Sequence, residues 1–247
     1  MRIAVAGGTG TIGTHVVEIA VERGHDVVVL SRSSGVDLVH DEGVAEALHG
    51  VDVVIDVANI ATMNGREATE FFEVTTRVLL AAEAREGVRH HVTLSIVGID
   101  GIDDGYYGAK LAQERAVQAG PIPWTIQRAT QVHEFARQVY GGAKIGPVHL
   151  APRMRTQPIA AREVAERLVD LAEAGPAGRV TDLAGPREES LVEIVRAYAR
   201  THGSHAWIPA VSLPGAMAKS QRDGSSLPAP GAIIGHQTYD EWLAESD

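Results

Sequence analysis

The segment Arg2-Ile3-Ala4-Val5-Ala6-Gly7-Gly8-Thr9-Gly10-Thr11-Ile12-Gly13 decides the fold. Its first five residues are mostly apolar and predict a buried β-strand. A helical pattern runs over about 15–23. The three glycines Gly7, Gly10 and Gly13 therefore stand between a strand and a helix, three residues apart from one another.

This turn suits the pyrophosphate of a dinucleotide. Gly7 allows a sharp turn, Gly10 lets N–H groups approach phosphates without a Cβ in the way, and Gly13 lets the helix pack close to the strand. The helix N-terminus adds unpaired N–H donors and a partial positive charge. The alternative is a tight turn that binds no ligand. The predicted contact residues are Gly7, Thr9, Gly10, Thr11, Ile12 and Gly13.

Charge and composition exclude several classes of function. The chain has 32 acidic and 22 basic side chains, and its net charge of −10 disfavours nucleic acids and anionic membranes, because both require a basic surface. No segment approaches the ~20 apolar residues of a membrane span, and the N-terminus lacks a signal-peptide profile. The chain has no cysteine, which excludes disulfides and thiolate catalysis. We therefore expect a cytoplasmic protein.

Short apolar runs alternate with helical patterns in the first half of the chain. Strands are predicted over 26–30, 51–58, 91–95 and 124–127, with helices over 67–86 and 106–119. This alternation predicts an α/β fold with a doubly wound parallel sheet of the Rossmann type. We expect a single domain over 1–247. The less regular second half is expected to form a small C-terminal substrate lid, with pocket or lid elements at about 130–160 and 185–247.

The end of the second strand should hold the adenosine ribose. NAD binders usually place an acidic residue there, and NADP binders place a cation there for the 2′-phosphate. Here the residues are Ser31, Arg32 and Ser33, with no acid in the immediate position. Arg32 suits a bidentate grip on phosphate, so we favour NADP(H) over NAD(H). The alternative for Arg32 is a solvated surface side chain.

Two further segments are expected along the cofactor. Asp37 and Leu38 follow the ribose position, within a stretch (35–38) that could form a very short strand. The Asp37 carboxylate could accept a hydrogen bond from the adenine amino group, or it could cap a turn instead. Val57, Ala58 and Asn59 end a central strand, where small residues would let the cofactor pass close to the backbone.

The chemical residues are predicted on the helix over 106–119. Tyr106 and Lys110 are four residues apart, which places them on one helix face. A tyrosine has an ordinary pKa of about 10, and a nearby ammonium and the positive nicotinamide both favour its phenolate, which brings the phenol into the working range. The same lysine can hold the nicotinamide ribose. Ser95, at the end of a strand, offers a hydroxyl nearby. The alternative is a tyrosine and a lysine on a solvated helix face.

The sequence resembles the atypical and extended short-chain dehydrogenase/reductase superfamily, and in particular its NmrA-like, NAD(P)H-binding branch. The likeness covers roughly residues 1–175 and is carried by the glycine turn, the motifs at 94–98 and 106–110, the segment 127–131 and Gln157-Pro158-Ile159. The resemblance implies NAD(P)H along the sheet edge, with Tyr106 and Lys110 at the catalytic tyrosine and lysine positions. One departure is Val97, which stands where the family often has the catalytic serine or threonine.

The leading hypothesis is an NADPH-dependent reductase that transfers a hydride to a small carbonyl, quinone or similar unsaturated compound. Tyr106 would donate the proton, Lys110 would assist it, and Ser95 could stabilise the substrate oxygen. The alternatives are a non-catalytic NADP-binding redox sensor, which Val97 favours, and a sugar-nucleotide epimerase or dehydratase. Apolar residues at 213–234 suggest an apolar substrate, and a homodimer is left open. We expect no metal site, since His202 and His205 have no carboxylate in their segment.

The segment after the strand over 124–127 leaves one more question open. His133, Glu134 and Phe135 lie where such folds begin to form the wall of the substrate pocket. They could contact a substrate, or they could belong to a helix surface.

Overall fold

In the computed structural model, β1 (Arg2–Ala6) lies inside a parallel sheet, with its last four residues buried. It pairs with β2 (Asp26–Leu30) on one side and β3 (Val53–Asp56) on the other. β3 also pairs with β4 (His90–Ile96), and β5 (Trp124–Ala129) follows β4. The order β5-β4-β3-β1-β2 reverses its direction at β1. Ligands of such sheets bind at the carboxyl ends of the strands beside this switch point, which here lies between β1 and β3.

The structure describes residues 1–62, 64–142 and 144–245. The chain divides into two units. The first unit contains Met1–Arg128 and Arg162–Val180, and the second contains Ala129–Ala161 and Thr181–Asp247. The lid function expected for part of the second unit stays a prediction.

Helices fill most of the segments between the strands. In chain order they are α1 (Thr11–Glu22), α2 (Val44–Ala47), α3 (Gly65–Glu86), α4 (Gly105–Ala119), α5 (Phe135–Gly142), α6 (Ala161–Ala174), α7 (Leu191–Thr201), α8 (Ala216–Asp223) and α9 (Tyr239–Glu245). Across the described ranges, none of them combines the length and the apolar composition that crossing a bilayer would take.

Helices cover both faces of the sheet of the first unit. His90 and His91 are adjacent on β4, so their side chains point to opposite faces. The ring of His91 bonds to Glu83 of α3, whereas His90 interacts with the main chain of Ala172 in α6. α3 and α6 therefore lie on opposite sides, which confirms the doubly wound α/β fold. Short β10 (Gly178–Arg179) pairs parallel with β5 at the far edge.

α3 and α4 pack closely against each other at their N-terminal ends. A Cβ on Gly65, the first residue of α3, would lie 2.7 Å from the Cα of Gly105 in α4. Below this contact Phe72, Ala68 and Ala109 form a buried cluster between the two helices. The packing fixes α4 against α3, and α4 carries Tyr106 and Lys110.

The second unit is built from short strands and amphipathic helices. α7 packs against α5 and α9 around a buried apolar cluster that includes Leu191, Val195 and Leu243. Its strands are only two residues long: β6 (Lys144–Ile145), β7 (Val148–His149), β8 (Ala151–Pro152), β9 (Arg155–Thr156), β11 (Leu183–Ala184), β12 (Glu189–Ser190), β13 (Ala210–Val211) and β14 (Ile233–Ile234).

One strand expectation is wrong. Residues 35–38 do not form a strand. Instead Arg32–Ser34 makes a single 3-10 turn, and Asp37 forms an isolated antiparallel bridge with Glu42. The cause is local, because the Ser31 hydroxyl accepts a hydrogen bond from the Ser34 N–H and closes the turn before a strand can begin.

Candidate functional site

The glycine turn after β1 is tight in the way its sequence predicts. Gly7 has a φ of +78°, and a Cβ placed there would lie 2.9 Å from the Cα of Ala58. A Cβ on Gly13 would lie 2.1 Å from the carbonyl oxygen of Gly7. No side chain fits at either position. Glycine therefore allows α1 to begin directly against the end of β1.

The N-terminus of α1 has the open donors that an anionic group needs. Gly10 is the N-cap residue, so no side chain caps the helix, and the first turn holds no acidic residue. In the described part of the chain, no hydrogen-bond acceptor faces the N–H groups of Thr11 and Ile12. Thr9, Gly10 and Thr11 are exposed. These residues fit a dinucleotide pyrophosphate, since its charge would meet free N–H groups and the positive end of the helix dipole.

The segment after β2 presents a cation on a serine-stabilised turn. The Ser31 and Ser33 hydroxyls are 2.9 Å apart, and the Ser34 hydroxyl donates to the Val29 carbonyl. Arg32 is exposed, and its guanidinium makes no hydrogen bond or ion pair with any described residue. A charged side chain on a fixed turn without a protein partner is available to an anionic ligand.

Asp37 and Leu38 are both held by local structure. The Asp37 carboxylate accepts from the Val39 N–H at 2.8 Å and pairs with the His40 ring at 3.0 Å. These bonds hold the pKa of Asp37 below its ordinary value. The Leu38 side chain packs in the apolar core beside Val36. The structure thus shows the turn-capping role for Asp37, and contact of either residue with adenine stays a prediction.

Val57, Ala58 and Asn59 follow β3 at the switch point. Ala58 is buried against Gly7, and its N–H donates to Asp56 at 3.0 Å. Asn59 is exposed, and its side-chain oxygen accepts a 2.5 Å hydrogen bond from the Tyr106 hydroxyl. The structure therefore brings a predicted cofactor residue and the predicted catalytic tyrosine into direct contact.

Tyr106 stands in a largely apolar setting. Its ring packs edge-on against Phe72, with the ring centres 5.7 Å apart. Burial raises the pKa of Tyr106 above its ordinary value, and the hydrogen bond to Asn59 opposes this shift. This direction is opposite to the shift expected from Lys110 and the nicotinamide together, because burial of the phenol is the largest cause. The effect of the two positive charges on Tyr106 stays a prediction.

Lys110 is a buried cation, with only 5% of its surface exposed. Its ammonium donates to the Leu94 carbonyl at 2.8 Å and to the Gln113 side-chain oxygen, and it lies 4.5 Å from the centre of the Phe72 ring. Burial lowers the pKa of Lys110 to about 8, although the Asp56 carboxylate favours the charged form. Burial thus makes Lys110 give up its proton more readily than a solvated lysine.

The carboxyl end of β4 offers a substrate little access to a hydroxyl group. Ser95 is 2% exposed, and its hydroxyl has no hydrogen-bond partner in the described residues. It follows His91 on the same face of β4, beneath the helix layer. Val97 is also buried. The assistance of Ser95 to a substrate oxygen stays a prediction, and its burial does not favour that role.

Two groups of buried polar residues were not predicted from the sequence. Gln113 donates to Asp56 at 2.9 Å and accepts from Lys110, and both Gln113 and Asp56 are 1% exposed. Gln113 follows Lys110 by three residues on α4, and this spacing was the available signal.

The second missed group centres on Arg128, at the end of β5. Its buried guanidinium bonds to both carboxylate oxygens of Glu114 in α4, at 2.8 and 2.7 Å. It also forms two hydrogen bonds to Asp100, in the loop after β4. Those bonds hold the pKa of Asp100 below its ordinary value. The sequence signal for this contact between α4 and the strand ends was an arginine within a predicted strand, at Arg128 of β5.

The second unit holds a surface cavity of about 710 Å³ lined largely by charged side chains. Four arginines line it: Arg153, Arg155, Arg196 and Arg222. Arg155 is paired with Glu188 at 2.6 Å, and Arg196 with Glu193 at 2.8 Å. The apolar residues expected to surround a substrate, such as Leu213 and Met217, do not line this cavity.

The histidines of the second unit take part in its packing. His133 is buried, bonds to the Gln237 carbonyl and packs against the Tyr239 ring. This matches a structural role for the segment that begins with His133, and a substrate contact there stays a prediction. His202 stacks on Tyr198. Within the described ranges no three histidine or acidic side chains come together as metal ligands.

Comparisons with known proteins agree with this geometry. The sequence profile of a family described as NAD(P)H-binding matches residues 7–174, about two thirds of the chain. The chain is 29% identical over 216 residues to dTDP-4-dehydrorhamnose reductase of Mycobacterium tuberculosis, covering 72% of this chain and 68% of that protein. It is 29% identical over 111 residues to photosystem II assembly factor Ycf39 of Synechocystis, covering 39% of this chain and 34% of Ycf39. The last alignment thus spans about a third of that relative.

Solved structures share the fold. UDP-glucose 4-epimerase of Thermus thermophilus, in complex with NAD, superposes with a TM-score of 0.67 at 20% identity, covering 100% of this chain and 93% of the epimerase. A short-chain dehydrogenase/reductase superfamily protein from Agrobacterium tumefaciens with bound NAD gives 0.66 at 18% identity, covering 100% and 96%. At this identity the likeness concerns the fold alone. With the glycine turn and the matching family profile, the chain belongs to the NAD(P)H-binding family, within the atypical, NmrA-like short-chain dehydrogenases/reductases.

Proposed function

We propose that this protein is an NADPH-dependent reductase of a small carbonyl, quinone or similarly unsaturated compound. The observation that carries the proposal is the placement of Tyr106, one helical turn from the buried Lys110 and in contact with Asn59 beside the switch point. A solvated helix face would not bury the lysine. When bound, the nicotinamide supplies the hydride.

Tyr106 acts as the proton donor. Burial keeps its pKa above the ordinary value, so the hydroxyl is protonated at neutral pH. A protonated phenol can give its proton to a substrate oxygen that gains negative charge during reduction. Asn59 orients the hydroxyl in the resting site. The protonated hydroxyl is the form that a reduction requires.

Lys110 is assigned two tasks. Its ammonium would bind the nicotinamide ribose, and its positive charge would stabilise the phenolate that remains once Tyr106 has given up its proton. The ammonium is held one helical turn from Tyr106 by the Leu94 carbonyl and the Gln113 side-chain oxygen.

Arg32 supports the preference for NADPH over NADH. An exposed guanidinium at the end of β2, without a protein partner among the described residues, suits the 2′-phosphate of the adenosine ribose. We assign the dinucleotide to the glycine turn, with its adenosine end at Ser31, Arg32 and Ser33. A cytoplasmic location and an apolar substrate remain parts of this proposal.

A redox sensor that binds NADP without turnover is the second candidate. Val97 in place of a hydroxyl residue favours it, and so does the burial of Ser95. A sugar-nucleotide substrate is a third, and the arginines of the second-unit cavity favour it. Both alternatives bind the dinucleotide at the same site. They differ in the substrate: the sensor converts none, and the third candidate acts on a sugar nucleotide.

Turnover separates the three candidates. The purified protein is mixed with NADPH and, in separate reactions, with aldehydes, ketones and quinones, and the absorbance of NADPH is followed. In parallel reactions the protein is incubated with NAD+ and UDP-glucose or dTDP-glucose, and the sugar nucleotides are separated by chromatography. Oxidation of NADPH by a carbonyl or quinone supports the reductase. Conversion of a sugar nucleotide supports the third candidate. Tight binding of NADPH with no turnover of any compound supports the sensor and contradicts our proposal.

A further inference from the structure

Lys110 is linked to a buried carboxylate through a single amide. The Gln113 side-chain nitrogen donates to Oδ2 of Asp56 at 2.9 Å, and its oxygen accepts from the Lys110 ammonium. The other oxygen of Asp56 accepts from the Ala58 N–H, next to the glycine turn. All three side chains are at most 5% exposed. The line of contacts thus runs from the switch point to the lysine.

The chemistry of the three side chains fixes which group donates and which accepts each hydrogen bond. A carboxylate can only accept hydrogen bonds, and an ammonium can only donate them. The amide of Gln113 must therefore present its nitrogen to Asp56 and its oxygen to Lys110. The opposite orientation would set oxygen against carboxylate and NH₂ against ammonium, and both contacts would be repulsive.

We propose that Asp56 and Gln113 are positioning residues for Lys110, with the Asp56 carboxylate setting the orientation of the Gln113 amide that holds the ammonium in the site. The proposal rests on the function assigned to Lys110 above. Without such a relay a lysine side chain, with four flexible carbon–carbon links, would sample several positions. The Leu94 carbonyl and the Phe72 ring complete its surroundings.

Two other ionisable side chains near Lys110, those of Glu114 and Tyr106, bond to other residues. Glu114, on the same helix, uses both of its oxygens for Arg128. The Tyr106 hydroxyl is directed at Asn59. Asp56 is therefore the carboxylate that reaches Lys110 through hydrogen bonds, while Glu114 acts on it only through distance-dependent attraction.

The test uses two single variants and their combination. Asp56→Asn removes the carboxylate and allows the Gln113 amide to turn its NH₂ towards Lys110. Gln113→Glu places a second carboxylate against Asp56. The double variant, Asp56→Asn with Gln113→Glu, restores an unbroken sequence of donor and acceptor, because the new amide donates to the new carboxylate, which accepts from Lys110. Asp52→Asn, a partly exposed carboxylate paired with Arg89, is the matched control.

Calorimetry at pH 6.5, where Lys110 is charged, measures the affinity for NADPH. Each single variant should bind about tenfold more weakly, and the double variant should recover most of the loss. Asp52→Asn should bind like the wild type. A double variant that binds as weakly as the singles, or more weakly, overturns the relay.

Two readouts do not depend on the proposed function. In NMR titrations of the Lys110 side chain, Asp56→Asn should lower the midpoint by about one pH unit and Gln113→Glu should raise it. Melting temperatures should fall in both single variants and recover in the double variant. If no form binds NADPH, the proposed function fails, while these two readouts still decide the relay. The relay is contradicted if the titration midpoint of Lys110 is unchanged in both single variants. It is also contradicted if the melting temperature of the double variant lies below those of the single variants. These comparisons still hold for the remaining variants if one single variant fails to fold.

Discussion

The hydroxyl of Tyr106 donates a hydrogen bond of 2.5 Å to the side-chain oxygen of Asn59. The two residues are 47 positions apart in the sequence. Asn59 follows the central strand β3, and Tyr106 lies in the first turn of α4. This contact directs the phenol to the carboxyl ends of the strands, where ligands of doubly wound sheets bind.

Replacing Tyr106 by phenylalanine tests the proton donor. The variant keeps the ring that packs against Phe72 and loses only the hydroxyl. We expect turnover of the reducible substrate to fall by at least about a hundredfold, with NADPH affinity retained. Steady-state rates and calorimetry measure the two effects. Tyr107→Phe, the neighbouring buried tyrosine, is the control and should retain turnover. Equal rates for Tyr106→Phe and the wild type would remove Tyr106 from the mechanism.

Replacing Gly13 by alanine tests the glycine turn. The new Cβ would lie 2.1 Å from the Gly7 carbonyl oxygen, so α1 must move away from the turn. We expect loss of NADPH binding and a decrease of about 1–3 kcal/mol in the free energy of unfolding. Gly141→Ala, at a helical glycine with open space around it, should leave NADPH binding unchanged and should not lower the free energy of unfolding. Wild-type affinity in Gly13→Ala would show that the dinucleotide binds elsewhere.

Replacing Arg32 by alanine tests the choice of cofactor. The loss of a guanidinium opposite the 2′-phosphate should weaken NADPH binding by about tenfold and leave NADH binding unchanged. Raising the salt concentration should weaken NADPH binding to the wild type more than to the variant. Arg85→Ala, at an exposed arginine in the last turn of α3, serves as the control. Parallel losses for NADPH and NADH would argue against a 2′-phosphate contact.

The stability of the first unit should depend on pH through His90. Burial lowers the pKa of His90 to about 4 in the folded protein, below its ordinary value of 6.5. Between these values the unfolded chain binds a proton that the folded protein does not, so stability falls as the pH falls from 6.5 to 4. The loss attributable to His90 is about 3 kcal/mol.

Urea unfolding at several pH values measures this dependence. The variant His90→Gln should reduce the slope over that window, whereas His49→Gln, at an exposed histidine, should not. An identical pH dependence in His90→Gln and the wild type would mean that His90 does not cause it.

Local patterns predicted the parts of the molecule that depend on near neighbours. Gly7 and Gly13 were recognised because a strand, a turn and a helix follow one another directly. The limits of β2 agree with its apolar run. The contact partners of Lys110 were not predicted, because Asp56 meets Gln113 across 57 residues of chain and only the packed sheet brings them together.

Local sequence patterns could not predict two other features either. A short strand was expected over residues 35–38, which include Asp37. The apolar residues of this segment do not distinguish a strand from the serine-capped turn that the structure shows just before it. The strands of the second unit are two residues long, too short to show a period. The charged cavity of that unit depends on Arg155 and Arg222, which lie far apart in the sequence.

Calorimetric titration of the wild-type protein with NADPH, and separately with NADH, tests the central claim most directly. The claim is that the glycine turn between β1 and α1 binds the pyrophosphate of a nicotinamide dinucleotide. The account predicts one saturable site per chain and a tighter affinity for NADPH. Heats no larger than those of dilution for both nucleotides, with the protein folded, would contradict it.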